Sequence, residues 1–266
     1  LGAEVIMCSP LGGEFGEPLR HLLTAQGITV RSTDLDSGTG ATIVELGADE
    51  RATVAQMPSQ VLGRHELDDL YGMTLVEALD SDVLIVTGVD PSSLVPADFF
   101  GRLVADVRAA GVRVVADLSG EAALAAIAEA PTVIKMSHEE VLDTDLAKTD
   151  GLGALRKAGA QLVAQGIEAV VISRAAEPAL LVTADGARLI TTPDIRTVMH
   201  QGAGDSMTAG VAVGLARGLD VVESVRLGAS AGALNVARHG LGSGRREHIE
   251  RFAEQIEVGD VLGKGA

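Results

Sequence analysis

The chain has 266 residues, and its 37 acidic and 21 basic residues give a formal net charge of −16. This balance argues against nucleic acid or an anionic membrane as a partner, because both require a basic face. The single cysteine, Cys8, rules out an internal disulfide framework and is typical of a reducing cytoplasm. We find no apolar run of membrane-spanning length and no signal peptide, so we expect a cytoplasmic location.

The composition indicates how the core is built. Hydrophobic residues make up 47% of the chain, with four Phe, one Tyr and no Trp. The core must therefore consist mainly of Val, Leu, Ile and Ala, which suits helices packed on a parallel sheet. A chain of this length can bury enough apolar surface to fold as one domain.

Short β-rich runs alternate with helical runs along the chain. In chain order, the pattern predicts a strand at 4–8, a helix at 17–27, a strand at 82–88, a helix at 96–111, a strand at 112–120, a helix at 121–130, a strand at 132–135, a helix at 152–166, a strand at 169–173, a hairpin around Asp185-Gly186, and helices at 203–217, 220–237 and 246–257. This alternation predicts right-handed βαβ units with helices on both faces of a sheet. We therefore predict an α/β fold, a three-layer α/β/α sandwich with a mostly parallel sheet.

Residues 29–60 depart from this alternation. ATIVEL (41–46) and RATVAQM (51–57) are typical of extended segments, and no helix is predicted between them. We interpret 29–60 as a small β-element outside the main sheet, in the role of a lid. Such an element can also pair edge to edge with a second copy of the chain, so a homodimer through the lid is an open hypothesis.

The segment HQGAGDSMTAG (200–210) places small residues directly before a predicted helix. The first amides of a helix lack intrahelical partners and carry the positive end of the helix dipole. Gly202 and Gly204 let the backbone approach a phosphate oxygen closely, and Asp205 can act as a general base on an attacking hydroxyl. The alternative is that Asp205 only complements the dipole while the glycines tighten a turn. The segment matches neither of the common glycine-rich nucleotide motifs.

GAGDSMTAGVAVGLARG (202–218) resembles the C-terminal signature of the ribokinase-like (PfkB) carbohydrate kinases. Further segments resemble that family in its own order and spacing, among them PLGGEFGEPLRHLLTAQGI (10–28), TVIKMSHEEV (132–141) and VVISRAAEPALLVT (170–183). The branch that the chain resembles most is that of the 1-phosphofructokinases and tagatose-6-phosphate kinases. The resemblance implies a single ribokinase-like domain over 1–266. It also implies that the family's N-terminal strand and glycine-rich sugar-binding segment precede Leu1 and are missing.

The resemblance implies ATP-dependent phosphorylation of a hydroxyl on a sugar or sugar phosphate, with Mg²⁺ neutralising the nucleotide phosphates. Asp205 is then the general base. Gly202, Ala203 and Gly204 contribute amides to the anion hole for the transferred phosphoryl group.

The nucleotide side of the implied site comes from three other segments. Lys135, Ser137 and Glu140 match a segment that faces the nucleotide phosphates and a metal-bound water, with Glu140 on the metal side. Ser173 begins the nucleotide loop. Gly232 matches a position at which the family has a small residue close to the adenine.

The chain departs from the family pattern on the nucleotide side. Ser137 replaces the asparagine of Asn-x-x-Glu, and Ser-x-x-Glu is also an ordinary capping box, which we consider the simpler explanation. In the nucleotide loop, Ala175 and Pro178 replace glycines, which restricts φ and removes an amide donor. Arg174 either compensates by contacting a phosphate or lies in solvent.

The chain also departs from the family pattern on the sugar side. Relatives that act on sugar phosphates carry an arginine near the position of Gly40, and Ser-Gly-Ser where this chain has Thr87-Gly88-Val89. An arginine fork is a strong phosphate ligand, and Asp90 adds negative charge in the same region. Overall similarity favours fructose 1-phosphate as the substrate, whereas these changes favour an unphosphorylated sugar.

Three hypotheses follow. The first is an active small-molecule kinase. The second is a kinase-fold protein that binds or regulates and has lost efficient use of the nucleotide, because fold alone does not guarantee activity. The third is a structural subunit of an oligomer. We favour the first, because the segment that contains Asp205 is intact.

Overall fold

The computed structural model describes residues 1–35, 38–46, 51–88 and 92–261. These residues form two compact units. One unit contains 1–2, 81–88 and the described residues from Phe100 onward. The other contains the described residues of 3–80 and of 89–99.

Strands and helices alternate along most of the chain. The strands are β1 (Ile6–Leu11), β2 (Thr29–Asp34), β3 (Ala41–Leu46), β4 (Arg51–Met57), β5 (Val83–Thr87), β6 (Arg113–Asp117), β7 (Val133–Ser137), β8 (Ala169–Arg174), β9 (Glu177–Thr183), β10 (Gly186–Thr191) and β11 (Glu257–Asp260). The helices are α1 (Gly13–Ala25), α2 (Arg64–Leu79), α3 (Ala97–Ala109), α4 (Gly120–Ala128), α5 (His138–Asp143), α6 (Leu152–Ala164), α7 (Ala203–Ala216), α8 (Val221–Val236) and α9 (Arg246–Ala253). Among the described residues, no helix combines the length and the apolarity needed to cross a membrane.

The main sheet belongs to the first unit, with strand order β11-β10-β9-β8-β7-β6-β5. Strands β5 to β8 run parallel, and β9, β10 and β11 continue the sheet in antiparallel pairing. The register aligns Asp117 with Lys135 and Ser137 with Ser173. Since parallel strands end at the same edge of a sheet, this register brings polar side chains from three strands together at that edge.

The parallel strands are apolar on both faces because helices cover both. Val114, Val115 and Ala116 of β6 are all fully buried, as expected for a strand covered on two sides. Along β9, Leu181 packs in the core cluster with α7 and α8. The next residue, Val182, points to the opposite face and contacts α6 at Gly159. The predicted α/β class with helices on both faces is therefore confirmed.

Helices α7 and α8 lie in backbone contact. A Cβ at Gly210 would lie 2.6 Å from the Cα of Gly228, and one at Gly228 would lie 2.5 Å from the carbonyl oxygen of Met207. Backbone atoms cannot move aside as a flexible side chain can, so only glycine fits at these positions. The long small-residue segment after Asp205 therefore positions α7 by allowing it to approach α8 closely.

We expect Gly228→Ala to lower the free energy of unfolding by about 1–3 kcal/mol or more, because its methyl group would force the two helices apart. The matched control is Gly72→Ala in the middle of α2, where nothing lies within 4 Å of an added Cβ. That substitution should raise the free energy of unfolding by about 0.5–1 kcal/mol through helix propensity alone. Urea denaturation measures both. Equal effects of the two substitutions would contradict the close-contact explanation.

The second unit contains two small sheets. Strands β1 and β2 pair in parallel, and β3 pairs with β4 as an antiparallel hairpin outside the seven-stranded sheet. Ile43 and Val54 on that hairpin are each 63% exposed. The role of 29–60 as a lid stays a prediction.

The predictions for the N-terminal part were partly wrong. The first strand is Ile6–Leu11 rather than 4–8, and α1 begins at Gly13, four residues before the predicted start, with Pro18 inside it. A Cβ at Gly12 would lie 2.9 Å from the backbone nitrogen of Leu35, so this glycine lets the backbone at Leu35 approach the start of α1 closely.

Helix α2 was not predicted at all. Its sequence, RHELDDLYGMTLVEAL, has no single apolar stripe, and only Leu70 and Ala78 are buried. Hydrophobic periodicity, on which the prediction of helices depends, is therefore weak in this segment.

Candidate active site

The first turn of α7 has the geometry of an anion-binding helix terminus. Gly202 caps the helix in a left-handed conformation with φ of +76°, which glycine adopts without strain. The Ser206 amide donates to the Gly202 carbonyl at 2.9 Å. The amides of 203–205 precede the first intrahelical bond and are left to bind a ligand. The side chain of Asp205 is exposed rather than turned into the interior.

Lys135 lies buried beside this turn. Its ammonium donates to Asp117 at 3.0 Å to Oδ1 and 3.3 Å to Oδ2. The two side chains are 8% and 10% exposed. A Cβ at Gly204 would lie 2.7 Å from Lys135 Nζ, so the ammonium directly faces the first turn of α7.

This position of the ammonium requires an electrostatic explanation. A cation beside the positive end of a helix is unfavourable by itself. The carboxylate of Asp117, 3.0 Å from the ammonium, offsets that repulsion by direct ion pairing. An anion bound at the same turn would add a second favourable interaction, since both the amides and Lys135 face it.

Thr208 completes the network around Asp117. Its hydroxyl donates to Asp117 Oδ2 at 2.6 Å, and the carbonyl oxygen of Gly204 lies 3.1 Å from the same hydroxyl. Because a hydroxyl has one proton, the shorter, charge-assisted bond to the carboxylate is the stronger one. Thr208 is therefore a link between the α7 backbone and the Asp117–Lys135 ion pair.

Sequence reasoning missed Asp117 and Thr208. A signal for Asp117 was present, because it is the polar last residue of the otherwise apolar strand RVVAD. Polar residues at the carboxyl ends of parallel strands commonly lie at ligand sites. Thr208 carries no comparable signal, since a threonine inside a helix more often packs or bonds to its own backbone.

Ser137 and Glu140 form a capping box at the start of α5, as the sequence predicted. The Ser137 amide donates to Glu140 Oε2 at 2.6 Å, and the Glu140 amide donates to Ser137 Oγ at 3.2 Å. The pKa of the neighbouring Glu139 carboxyl lies below its ordinary value because the backbone amide of Glu139 donates to it, followed by the Ser137 hydroxyl. The helix start therefore favours negative charge, and the second Glu140 oxygen, Oε1, takes no part in the box.

The predicted nucleotide loop is a tight hairpin between β8 and β9. Ser173 is half-buried and lies in register with Ser137. Ala175 adopts φ of +51°, a left-handed conformation that is strained for alanine. The Arg174 side chain is only 18% exposed and reaches back to Glu177, with 3.9 Å between the charged groups. Arg174 is therefore held by its own hairpin, and a phosphate contact for it stays a prediction.

The structure supplies a packing reason for Gly232. A Cβ at this position would lie 2.9 Å from the carbonyl oxygen of Ala203 and 3.4 Å from Met207 Cβ. Gly232 is buried and lies on the side of α8 that faces α7. The small residue is thus explained by helix contact, and its proximity to an adenine stays a prediction.

Gly40 lies in a place that disfavours the family's arginine. Its amide donates to Ser59 Oγ at 2.9 Å. A Cβ at Gly40 would contact that hydroxyl and would lie 2.8 Å from the Ser59 amide nitrogen. An arginine at this position would therefore displace the Ser59 segment. Val89 and Asp90, the other departures on the sugar side, lie outside the described residues.

The structure thus brings together part of the site predicted from sequence. Lys135 meets the Gly202–Asp205 turn, and Ser137 meets Ser173 across adjacent strands. Within the described residues, no cluster of three or more His, Cys, Asp or Glu side chains could hold a metal by itself. This is compatible with Mg²⁺, which proteins often bind through one or two carboxylates together with phosphates of the substrate.

Comparison with known proteins connects this geometry to a family. A model described as pfkB family carbohydrate kinase matches residues 1–248. The chain is 27% identical over 252 residues to a 1-phosphofructokinase of Bacillus subtilis, covering 93% of this chain and 80% of the relative. It is 30% identical over 267 residues to an ATP-dependent 6-phosphofructokinase isozyme 2 of Mycobacterium tuberculosis, covering 94% of this chain and 75% of that relative.

Solved structures agree on the fold. Phosphofructokinase-2 from Escherichia coli in complex with potassium superimposes with a TM-score of 0.85 at 24% identity, covering 96% of this chain and 83% of the other. A ribokinase from Thermotoga maritima superimposes with a TM-score of 0.71 at 19% identity, covering 94% of this chain and 81% of the ribokinase. The predicted ribokinase-like fold is therefore confirmed. From the family match over residues 1–248, together with these relatives, the chain belongs to the pfkB family of carbohydrate kinases.

Proposed function

We propose that this carbohydrate kinase transfers a phosphoryl group from ATP to a hydroxyl of a sugar or sugar phosphate, with Asp205 as the general base. The observation that carries the proposal is the first turn of α7. There an exposed carboxylate, three unpaired amides and the buried Lys135 ammonium converge on one helix terminus. A turn that only capped a helix would not require a buried cation beside it.

Each group has a role in the proposed reaction. Asp205 accepts the proton of the acceptor hydroxyl, whose oxygen then bonds to phosphorus as the bond to the leaving nucleotide breaks. The amides of 203–205 donate hydrogen bonds to the oxygens of the transferred group, where negative charge is concentrated. Lys135, held by Asp117, adds positive charge at the same place without needing to reorient.

The nucleotide side of the proposal relies on the ends of strands β7 and β8 and on helices α5 and α8. ATP supplies the phosphoryl group, and Mg²⁺ neutralises charge on its phosphates. Ser137 and Ser173 would line the phosphates, and Glu140 would hold a metal-bound water through Oε1, which the capping box does not use. Arg174 and Gly232 complete the proposed nucleotide contacts, with Gly232 near the adenine.

Two substrate classes compete. Relatives named as phosphofructokinases support a phosphorylated sugar, with fructose 1-phosphate the first choice. The close contact of Gly40 with Ser59 leaves no room for an arginine phosphate ligand at that position and so favours an unphosphorylated sugar. A kinase-fold protein with weak nucleotide use is the second candidate function, supported by the strained Ala175 and by Arg174, which is held inside its hairpin.

An assay of ADP release from MgATP tests the proposal, with fructose 1-phosphate, fructose 6-phosphate and the free sugars as acceptors. We expect turnover with at least one of them. Calorimetry with MgATP separates the candidates, because no heat at millimolar nucleotide together with no turnover would favour the binding protein. An ATPase activity that no sugar stimulates would contradict the proposed acceptor class.

We further propose a cytoplasmic homodimer that pairs through the hairpin of β3 and β4, without nucleic-acid or membrane partners. The exposed Ile43 and Val54 support pairing at this hairpin. The molar mass of the chain in solution tests it, and a monomer at micromolar concentration would contradict it.

A further inference from the structure

Asn235, in the last turn of α8, connects two loops near the candidate site. Its side chain is buried, with 2% of the residue exposed. Asn235 Nδ2 donates to the carbonyl oxygen of Gln201 at 2.7 Å, and the Gly242 amide donates to Asn235 Oδ1 at 3.0 Å. Both ends of the amide are therefore used, one by the loop before α7 and one by the loop before α9.

The partners of Asn235 determine which way its amide points. The Gln201 carbonyl can only accept and the Gly242 amide can only donate, so the side chain must donate to one and accept from the other. Aspartate has the same shape but cannot donate when ionised. A side chain of this length that donates to the Gln201 carbonyl and accepts from the Gly242 amide must therefore carry an amide group.

The loop that Asn235 holds leads directly into the anion-binding turn. Gln201 immediately precedes Gly202, whose left-handed conformation starts α7. The same loop is held by a second contact with the end of α8, since the amides of Val198 and Met199 donate to the Val236 carbonyl at 2.7 and 3.1 Å. The loop is thus anchored on α8 immediately before the first helical residue.

The second loop also contacts this turn. A Cβ at Gly202 would lie 2.9 Å from Leu241 Cδ2 and 3.4 Å from Asn235 Nδ2. Leu241 immediately precedes Gly242, which bonds to Asn235. The loop before α9 is therefore packed on the glycine that sets the direction of the amides of 203–205.

We infer that Asn235 is a positioning residue for the anion hole. By holding the Gln201 carbonyl and the Gly242 amide, it maintains the left-handed turn at Gly202 and the direction of the amides of 203–205. Its effect on turnover rests on the proposed phosphotransfer, but its effect on the turn does not.

The test uses amide hydrogen exchange of the full chain without ligands, measured residue by residue by NMR. Three bonded amides report on the turn: Met199, Ser206 and Gly242. Asn235→Ala should accelerate exchange at all three by about tenfold or more, as local opening becomes easier. Asn235→Asp should leave Gly242 protected and accelerate exchange at Met199 and Ser206, because a carboxylate oxygen would face the Gln201 carbonyl.

Ser230→Ala is the matched control. Ser230 is fully buried on the same helix, and its hydroxyl donates to the Ile249 carbonyl of α9 at 2.6 Å, away from the turn. We expect this variant to lose one buried bond without changing exchange at Met199 or Ser206. Equal acceleration in Ser230→Ala and Asn235→Ala would overturn the inference, since it would report general destabilisation.

Kinetics extend the test to the reaction. Asn235→Ala should lower kcat by about tenfold to a hundredfold with little change in the sugar KM, as expected when groups that bind the transferred phosphoryl are misplaced. Ser230→Ala should retain the wild-type kcat. If the wild-type chain transfers no phosphoryl group, the proposed function fails, and the exchange data alone still decide the role of Asn235. Accelerated exchange with wild-type kcat would overturn the catalytic part.

Discussion

Asp205→Asn should reduce phosphotransfer by about a hundredfold or more while leaving the fold intact. Asparagine has nearly the same size and suits a helix terminus, but it cannot accept the proton of the acceptor hydroxyl. Asp205 is exposed in the first turn of α7, so the substitution disturbs no buried contact. Steady-state kinetics with the acceptor identified by the sugar panel measure the loss, which should appear in kcat.

The control for this variant is Asp220→Asn at the start of α8. Asp220 also stands at a helix terminus, where its carboxylate accepts from the Glu223 amide at 2.8 Å. Asparagine is an equally good N-cap, so stability and turnover should both remain near wild type. Turnover in Asp205→Asn equal to that in Asp220→Asn would remove Asp205 as the base.

Lys135→Met should lower both the stability and the activity of the protein. The substitution leaves the Asp117 carboxylate, whose side chain is 10% exposed, without its cation. Breaking a buried ion pair in this way costs about 3–5 kcal/mol. Loss of the ammonium beside the anion hole should also reduce kcat by about 10²–10³-fold, similar to removal of one oxyanion donor. Urea denaturation and steady-state kinetics measure the two effects.

The double variant Lys135→Met with Asp117→Leu separates the two roles of Lys135. Replacing both charges with apolar groups removes the unpaired carboxylate, so most of the lost stability should return. The activity should stay low, because the ammonium is still absent. Full activity in the double variant would mean that Lys135 is only a structural partner of Asp117.

Lys148→Met is a control that breaks an ion pair at the surface instead of a buried one. Lys148 and Asp145 form an ion pair at 2.7 Å, but their side chains are 78% and 81% exposed. Exposed pairs contribute little because water and salt screen them. We expect neither stability nor turnover to change, in contrast to the buried pair.

Local patterns explain why most of the first unit could be predicted. The apolar runs of β5 to β8 and the runs of α6, α7 and α8 rich in Ala, Leu and Val indicate their structure without reference to the rest of the chain. The capping box of Ser137 and Glu140 was predicted for the same reason, since both partners lie within one helical turn. Helix α2 was missed because its apolar residues do not lie on a single stripe: Val76 is 64% and Leu79 48% exposed. Its formation therefore depends on contacts with β1 and β2.

For two glycines, the reason for the missing side chain is found only in the neighbours that the fold brings close. The lack of a side chain at Gly232 is required by the approach of α8 to Ala203, and its place near an adenine stays a prediction. Gly40 lies near the position where the sequence predicts the absence of an arginine, and its contact with Ser59 leaves no space there for a larger side chain. In both cases the decisive neighbour is distant in sequence.

The amino-acid sequence was enough to predict a helix that begins after Gly202 with free amides and a carboxylate in its first turn. This information is local, because the left-handed glycine, the unpaired amides and Asp205 lie within four consecutive residues. The side chains that lie beneath that turn could be identified only from the folded chain. Asp117 and Thr208 are 91 residues apart, and they meet around Lys135 because the register of β6 with β7 and the docking of α7 bring them together. Sheet register and helix docking depend on the packing of the whole unit, which no short segment encodes.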